Sequence, residues 1–350
     1  MTTVRKETLL RALTDMQRHQ QGNHGWSVVH ESLGRLAGRA SAASLDTVLA
    51  AAWRVRPAIS DAHLITLLGI ALRTVAAHDA EAARVFRPEL AAGDRVRVLE
   101  RTLERHRDEI TGIVTEHSNS FTGARRFLVP QLVIGAWAEH RRVEAVRLAD
   151  LGTGIGLLPR QLNNRTVFDR FAPDLAWFPY TPPFRPVPLT ARTGVDVPPL
   201  PTLEWVRGCH GPSRYYTERF AEVVWSLEQT AAEAAELELL PLDILDPAAL
   251  TEFLRTHRIT VATCNFVLYQ YDEATRERVI AAITAGLGRP GLLLSMEPGH
   301  ELRRMGACVR GYRAGSTTAL HIADVSDAHF LGRVTLGPGF AELTGADPNP

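Results

Sequence analysis

The stretch VRLADLGTGIGLLP, Val146–Pro159, constrains the fold more than any other part of the chain. An apolar, strand-like run ends at Asp150, and glycines then stand at alternate positions, Gly152, Gly154 and Gly156. Glycine tolerates left-handed backbone, so the run reads as a strand turning sharply into a helix. A turn of this kind lets a nucleotide come close to the backbone.

The flanking residues place this turn at the head of an α/β domain. Residues 1 to 140 read as helices. SLDTVLAAAWRV starts at the potential N-cap Ser44, and Asp61–His78 is a long alanine- and leucine-rich run free of proline. Asp94–His117 carries apolar residues at helical spacing, and Arg125–His140 continues as helix. From Ala145 the pattern changes. Short apolar runs (Ala145–Leu151, Leu237–Ile244, Ile259–Leu268, Gly291–Pro298) alternate with helical segments (Tyr216–Glu236, Asp272–Leu287). Alternation of this kind predicts a mostly parallel sheet with crossover helices. ACVRGYR, TTALHIADV and LGRVTLG then close the sheet as antiparallel strands. The expected organisation is an all-helical region, 1–140, acting as lid or dimerisation surface, followed by a Rossmann-like α/β core, 141–340. Residues 173–212 interrupt that core with 10 of the chain's 21 prolines. Their aromatics, among them Trp177, Tyr180 and Trp205, argue for an ordered excursion, with a second strand near Thr193–Leu200.

Composition removes several function classes. Basic and acidic residues number 39 each, so the basic excess of a nucleic-acid binder is missing and no such partner is expected. Lys6 is the only lysine beside 38 arginines. That leaves no Gly-Lys-Ser/Thr phosphate loop and a poor candidate for Schiff-base chemistry. Cys209, Cys264 and Cys308 form no C-x-x-C pair, which fits a reduced, cytoplasmic protein with no metal site. The start, MTTVRKETLL, lacks a signal-peptide core, and the most apolar run, Leu64–Leu72, is far short of the ~20 residues a membrane span needs.

The glycine spacing narrows the ligand. A dinucleotide loop, G-x-G-x-x-G, would put its third glycine at position 157, which is Leu157. The observed Asp-x-Gly-x-Gly-x-Gly after an apolar strand instead resembles motif I of class I S-adenosylmethionine-dependent methyltransferases. The resemblance implies that Asp150, Gly152, Thr153, Gly154 and Gly156 hold the methionine and ribose part of S-adenosyl-L-methionine. It also implies that Asp196, in GVDVPP, bonds the ribose hydroxyls and that Asp243 and Ile244, in LELLPLDILD, take the adenine. Asn265, Phe266 and Tyr269, after the fourth strand, would face cofactor and acceptor. Asp246, followed by Pro247, is expected to cap a helix instead.

A wider resemblance covers roughly residues 100–335. HSNSFTGARRFLVPQL, RTGVDVPPL, YYTERFAEVVWSL, a Tyr-Gln-Tyr and LLLSMEPGHELR occur in this order. Together they resemble a bacterial family of unknown function with a methyltransferase-like fold. Ser118, Asn119 and Ser120 stand where that family carries Thr-Asn-Glu. The resemblance points to Asn119 and Arg125 as groups for the cofactor's carboxylate, which an arginine fork suits.

Methyl transfer is an in-line displacement in which the protein positions the acceptor and removes its proton where the acceptor needs that. His210, Glu297 and His300 are the candidate bases, while His321, inside a strand, reads as structural. Trp177, Tyr180, Tyr215, Tyr216 and Tyr269 are the candidate lining of an acceptor pocket. The expected activity is O- or N-methylation of a small molecule, of the kind found in natural-product biosynthesis. Partners other than that substrate reduce to a second copy of the chain, as a homodimer. Three alternatives share or contest the loop: an aminocarboxypropyl transferase using the same sulfonium, a non-catalytic binding module, and a nicotinamide-dependent oxidoreductase.

Overall fold

The computed structural model describes residues 2–19, 26–39, 42–211, 213–299 and 306–346. The chain divides into two units, Met1–Phe121 with Leu203–Phe220 and Tyr269–Asp272, and Thr122–Thr202 with Ala221–Leu268 and Glu273–Pro350.

The first unit is helical. Trp26–Ala37, Ala43–Val55, Asp61–Ala76, Ala92–Arg105 and Arg107–Glu116 turn their apolar faces into one cluster around Leu49, Leu67, Leu99 and Val114. Ser60 caps the helix Asp61–Ala76, its Oγ accepting from the backbone N–H of His63. Ser44 does not cap its helix: Ala42 holds that place with no side-chain bond. The single helix expected over 94–117 breaks at His106, whose Nε2 meets Asp79 Oδ2 at 2.8 Å. A tertiary hydrogen bond thus meets the chain at the break between the two helices.

The second unit is the α/β core. Its nine strands are β1 (Val146–Leu151), β2 (Leu175–Phe178), β3 (Leu189–Asp196), β4 (Leu237–Pro241), β5 (Val261–Asn265), β6 (Leu292–Pro298), β7 (Ala307–Arg313), β8 (Leu320–Val325) and β9 (Gly332–Leu336). They form one sheet in the order β2-β9-β8-β7-β6-β5-β1-β3-β4. β4, β3, β1, β5 and β6 are parallel, and β7, β8 and β9 follow antiparallel. The mostly parallel sheet with an antiparallel end is therefore present. β2 is the strand that sequence reading missed. It is four residues long, sits at the sheet edge beside β9, and lies inside the proline-rich excursion.

The helix Leu128–Arg141, which periodicity attaches to the helical region, belongs to this second unit. Leu128, Leu132, Val133 and Trp137 pack with β-strand residues Leu148, Leu294 and Val309 in the sheet's own apolar cluster. The excursion is divided between units, since residues from Leu203 onward count with the helical one. Among the described residues no helix is long and apolar enough to cross a membrane.

Strand order fixes where a ligand can sit. After its detour to β2 at the far edge, the chain adds β3 and β4 on one side of β1, then returns to β5 on β1's other side. The carboxyl ends of β1 and β5 thus flank a topological switch point, where open α/β sheets form their binding crevice.

Candidate active site

β1 delivers the glycine loop to that crevice. Gly152, Gly154 and Gly156 all have left-handed backbone, with φ of 70°, 59° and 71°. At Gly152 the requirement is also steric, because a Cβ there would lie 2.4 Å from Val267 Cγ2 in the turn after β5. The loop is tied to β3, where Val195's carbonyl accepts from the N–H groups of Gly152 and Thr153 at 2.9 and 3.0 Å.

Asp150 sits at the centre of this arrangement. Parallel register pairs it with Thr263 on β5 and with Gly194 on β3, so these three positions share one face. Thr263 Oγ1 donates to one carboxylate oxygen at 2.6 Å, and Thr153 Oγ1 to the other at 2.8 Å. Gly194 makes the second bond possible, since a Cβ there would lie 2.7 Å from Thr153 Cγ2. Burial pushes the Asp150 carboxyl up to about 6; the two hydroxyls pull it down and the neighbouring Asp196 pushes it up.

Asp196 ends β3 with both oxygens occupied by backbone donors. Gly154 N–H donates to Oδ2 and Val197 N–H to Oδ1, each at 2.8 Å. Burial raises this carboxyl as well. Two carboxylates in one crevice make a site that favours a cation.

On the other flank β5 ends in Asn265, followed by Phe266 at φ 56°. A non-glycine residue in that region is strained, and such strain collects at functional sites. Both polar atoms of the Asn265 side chain are shut from solvent with no hydrogen-bond partner among the described residues. An unpartnered buried amide costs about 1–3 kcal/mol per group, so this one is a place where a ligand's polar group would be accepted.

The other expected cofactor residues divide. Asp243 and Ile244 follow β4, next to Asp196 in strand order. Asp243 is exposed and accepts from Leu245 N–H at 2.9 Å, while Ile244 is buried. Asp246 caps the helix Pro247–Thr256, as expected. Arg125 is committed elsewhere. Its guanidinium binds Asp174 at 2.8 Å, pairs with Glu222, and lies 4.6 Å over the Phe171 ring. Burial opposes its charge, and the two carboxylates more than offset that, holding the group above its ordinary value. No fork is left for a cofactor carboxylate. Asn119 lies in the helical unit, donating to Tyr269 Oη at 3.0 Å and accepting from Phe121 N–H.

Of the candidate bases, Glu297 stands at the carboxyl end of β6, beside β5. Its Oε1 accepts from the N–H groups of Leu268 and Val267, at 3.0 and 3.3 Å, and so holds the turn that carries Phe266. His210 is in the helical unit, 1% exposed, with Nδ1 donating to Val206 O and its ring 4.2 Å from that of Phe121. Those contacts are those of a packed core histidine. His300 lies outside the described residues.

The aromatic set falls in both units. Tyr215, Tyr216 and Tyr269 are in the helical unit, with Tyr216 packed edge-on to Phe121. Trp177 lies on β2, six strands from β1, roughly 29 Å away at ~4.8 Å per strand. It lines a cavity of about 330 Å³ with Phe168, Phe184 and Arg165. Tyr180 packs edge-on to Phe340 at 6.4 Å. Trp177 stands away from the glycine loop, because β2 joins the sheet at its edge. Sequence reading in turn missed four residues of the crevice. Thr263 and Gly194 could be found only from strand register. Thr122 Oγ1 lies 3.6 Å from where a Gly154 Cβ would stand, and the Arg126 guanidinium lies 3.8 Å over the Phe266 ring.

The buried Asp150 carboxyl has a measurable consequence. Its folded value lies above the ordinary 3.8, so the stability it contributes is full below about pH 4 and is lost as pH rises through about 6. Asp150→Asn should therefore match wild type in stability near pH 4 and exceed it by up to about 3 kcal/mol above pH 7. Denaturant midpoints at the two pH values check this; a gap that does not widen with pH contradicts the charge-burial account.

Among solved structures, the chain is similar to an O-methyltransferase family protein from Burkholderia thailandensis, at 17% identity over 49% of this chain and 38% of that one, TM-score 0.28. It is similar to a SAM-bound amino pentose methyltransferase from Micromonospora echinaspora, involved in calicheamicin biosynthesis, at 15% identity over 56% and 67%, TM-score 0.29. An rRNA methyltransferase from Streptomyces viridochromogenes is a further neighbour, at 15% identity over 55% and 84%, TM-score 0.32. The chain spans less than half the length of the first of these. No protein-family model matches the chain, and no curated protein matches it.

Proposed function

We propose that this chain is an S-adenosylmethionine-dependent methyltransferase acting on the oxygen or nitrogen of a small molecule, in specialised metabolism. One observation carries the reading: a left-handed glycine loop and Asp196, joined through the Gly154 N–H, stand at the switch point opposite the unpartnered amide of Asn265. These groups fit the cofactor. A carboxylate accepts about four hydrogen bonds, and Asp196 has two from backbone, so it can take two ribose hydroxyls. The glycine loop admits the ribose and methionine carbons without a side chain in the way. Asp150, braced by Thr153 and Thr263, sets a negative potential beneath the loop that favours the cofactor's cationic end.

When bound, S-adenosylmethionine supplies a methyl group on a sulfonium, a good leaving group that needs no further activation by the protein. The chain's own task is then to hold an acceptor in line and to receive its proton. Glu297, near the carboxyl end of β6 beside β5, is the candidate base for this in the unit that carries the glycine loop.

Calorimetry with S-adenosylmethionine and with its demethylated product tests the reading. One-to-one binding of both is expected, and a folded protein that binds neither would falsify it. Mass spectrometry of a reacted acceptor separates methyl transfer from the heavier aminocarboxypropyl transfer.

A further inference from the structure

We propose that β7 and β8 carry a divalent-metal site of the zinc class, formed by Cys308, His321 and Asp324, separate from the glycine loop. The sulfur, one ring nitrogen and one carboxylate oxygen of these residues all lie within 4.8 Å of one another. Donors around a tetrahedral zinc with bonds of 2.0–2.3 Å stand roughly 3.3–3.8 Å apart, so small side-chain rotations close the set. Thiolate, imidazole and carboxylate together are a zinc-type donor set, unlike the all-oxygen sets of calcium and magnesium.

The sheet is built to bring these three together. Antiparallel register places Cys308 directly opposite Asp324, so their side chains share a face. His321 precedes Asp324 by three positions and would ordinarily project from the other face. A register shift between Val309 and Arg310 pairs Val309 with Ala323 and Arg310 with His321, leaving Ile322 unpaired. That bulge returns His321 to the face of Cys308 and Asp324, the re-aiming for which bulges recur near functional sites. Gly337 completes the fit, because a Cβ there would lie 2.8 Å from His321 Nδ1.

The carboxylate is incompletely satisfied without a cation. Asp324 is 9% exposed; Oδ2 lies 2.9 Å from His321 Nε2, while Oδ1 is buried with no hydrogen-bond partner among the described residues. The His321 side chain keeps 38% exposure, but its Nε2 is shut from solvent and, like Asp324 Oδ1, has no hydrogen-bond partner among the described residues. Three protein donors leave a fourth position for water or for an oxygen of an incoming molecule, as in catalytic rather than structural zinc sites. The site spans β7 and β8, three and four strands from β1, about 14–19 Å at ~4.8 Å per strand, on the face opposite Asp150. It rests on these residues alone and stands or falls independently of the methyltransferase reading.

Cobalt(II) titrated into chelator-treated full-length protein tests it directly. The expected result is one equivalent bound, with a sulfur-to-metal charge-transfer absorption that zinc displaces. Cys308→Ser should abolish that absorption, while Cys209→Ser and Cys264→Ser keep it. Should the buried Cys308 variant fail to fold, the half-exposed His321→Gln decides. It should weaken cobalt binding by more than the ~10–100-fold that outer-shell changes cost. No charge-transfer band in folded wild type, a band surviving Cys308→Ser, or unchanged affinity in His321→Gln overturns the proposal.

Discussion

Gly152→Ala is expected to destabilise the second unit by roughly 2–5 kcal/mol and to weaken binding of S-adenosylmethionine at least ~10-fold. Two effects add. A side chain at φ 70° costs about 1–2 kcal/mol for the left-handed backbone. The new methyl, 2.4 Å from Val267 Cγ2, overpacks the turn after β5 for a further 1–3 kcal/mol or so. The loss of affinity follows from displacement of the loop, which would misalign the hydrogen bond from Gly154 N–H to Asp196, a bond to a charged group. Gly154→Ala is the internal control. Gly154 is also left-handed, but its Cβ would meet only Thr122 Oγ1 at 3.6 Å, so the backbone cost stands alone. Thermal melts and cofactor titrations of both variants check the argument. Equal destabilisation at 152 and 154 would remove the steric contribution assigned to Val267.

The parts of this site that were legible in the sequence are those whose signal is local. A glycine at every second position after an apolar strand specifies the turn without reference to anything distant, and Asp246 before Pro247 specifies its cap in the same way. Asp196 was reached through the resemblance, which asks for an acidic residue at the end of the second strand. Thr263 and Gly194 were invisible, since their roles exist only once β5 and β3 pair with β1 in a particular register. The metal-ligand set was hidden for a similar reason. Cys308 is 13 residues from His321 in sequence, and only a bulge turns His321 toward it. Trp177 misled in the opposite direction. Its place in an aromatic, proline-rich excursion after the glycine loop suggested proximity, but the chain uses those residues to add β2 at the far edge of the sheet.

Arg125 shows how the same residue type supports two opposed readings, and its replacement separates them. Arg125→Met keeps the side-chain length and the contact with the Phe171 ring but removes the charge. If the guanidinium is structural, the variant removes the Arg125 cation from Glu222, whose side chain is 13% exposed, and from Asp174, which at 40% is largely rescued by water. The expected loss is about 3–4 kcal/mol, below the 3–5 kcal/mol ceiling for breaking a fully buried pair because one partner is half in solvent. Adding Glu222→Gln should then recover much of that loss, since the buried charge is removed with it and neighbouring effects are not additive. Cofactor affinity of the folded variant should stay within about threefold of wild type, because a fork already bound to two carboxylates has nothing left for a third. A cofactor-binding arginine would give the reverse pattern: little change in melting temperature, no rescue by Glu222→Gln, and affinity lower by a factor of ~10 or more, the worth of a charged hydrogen bond.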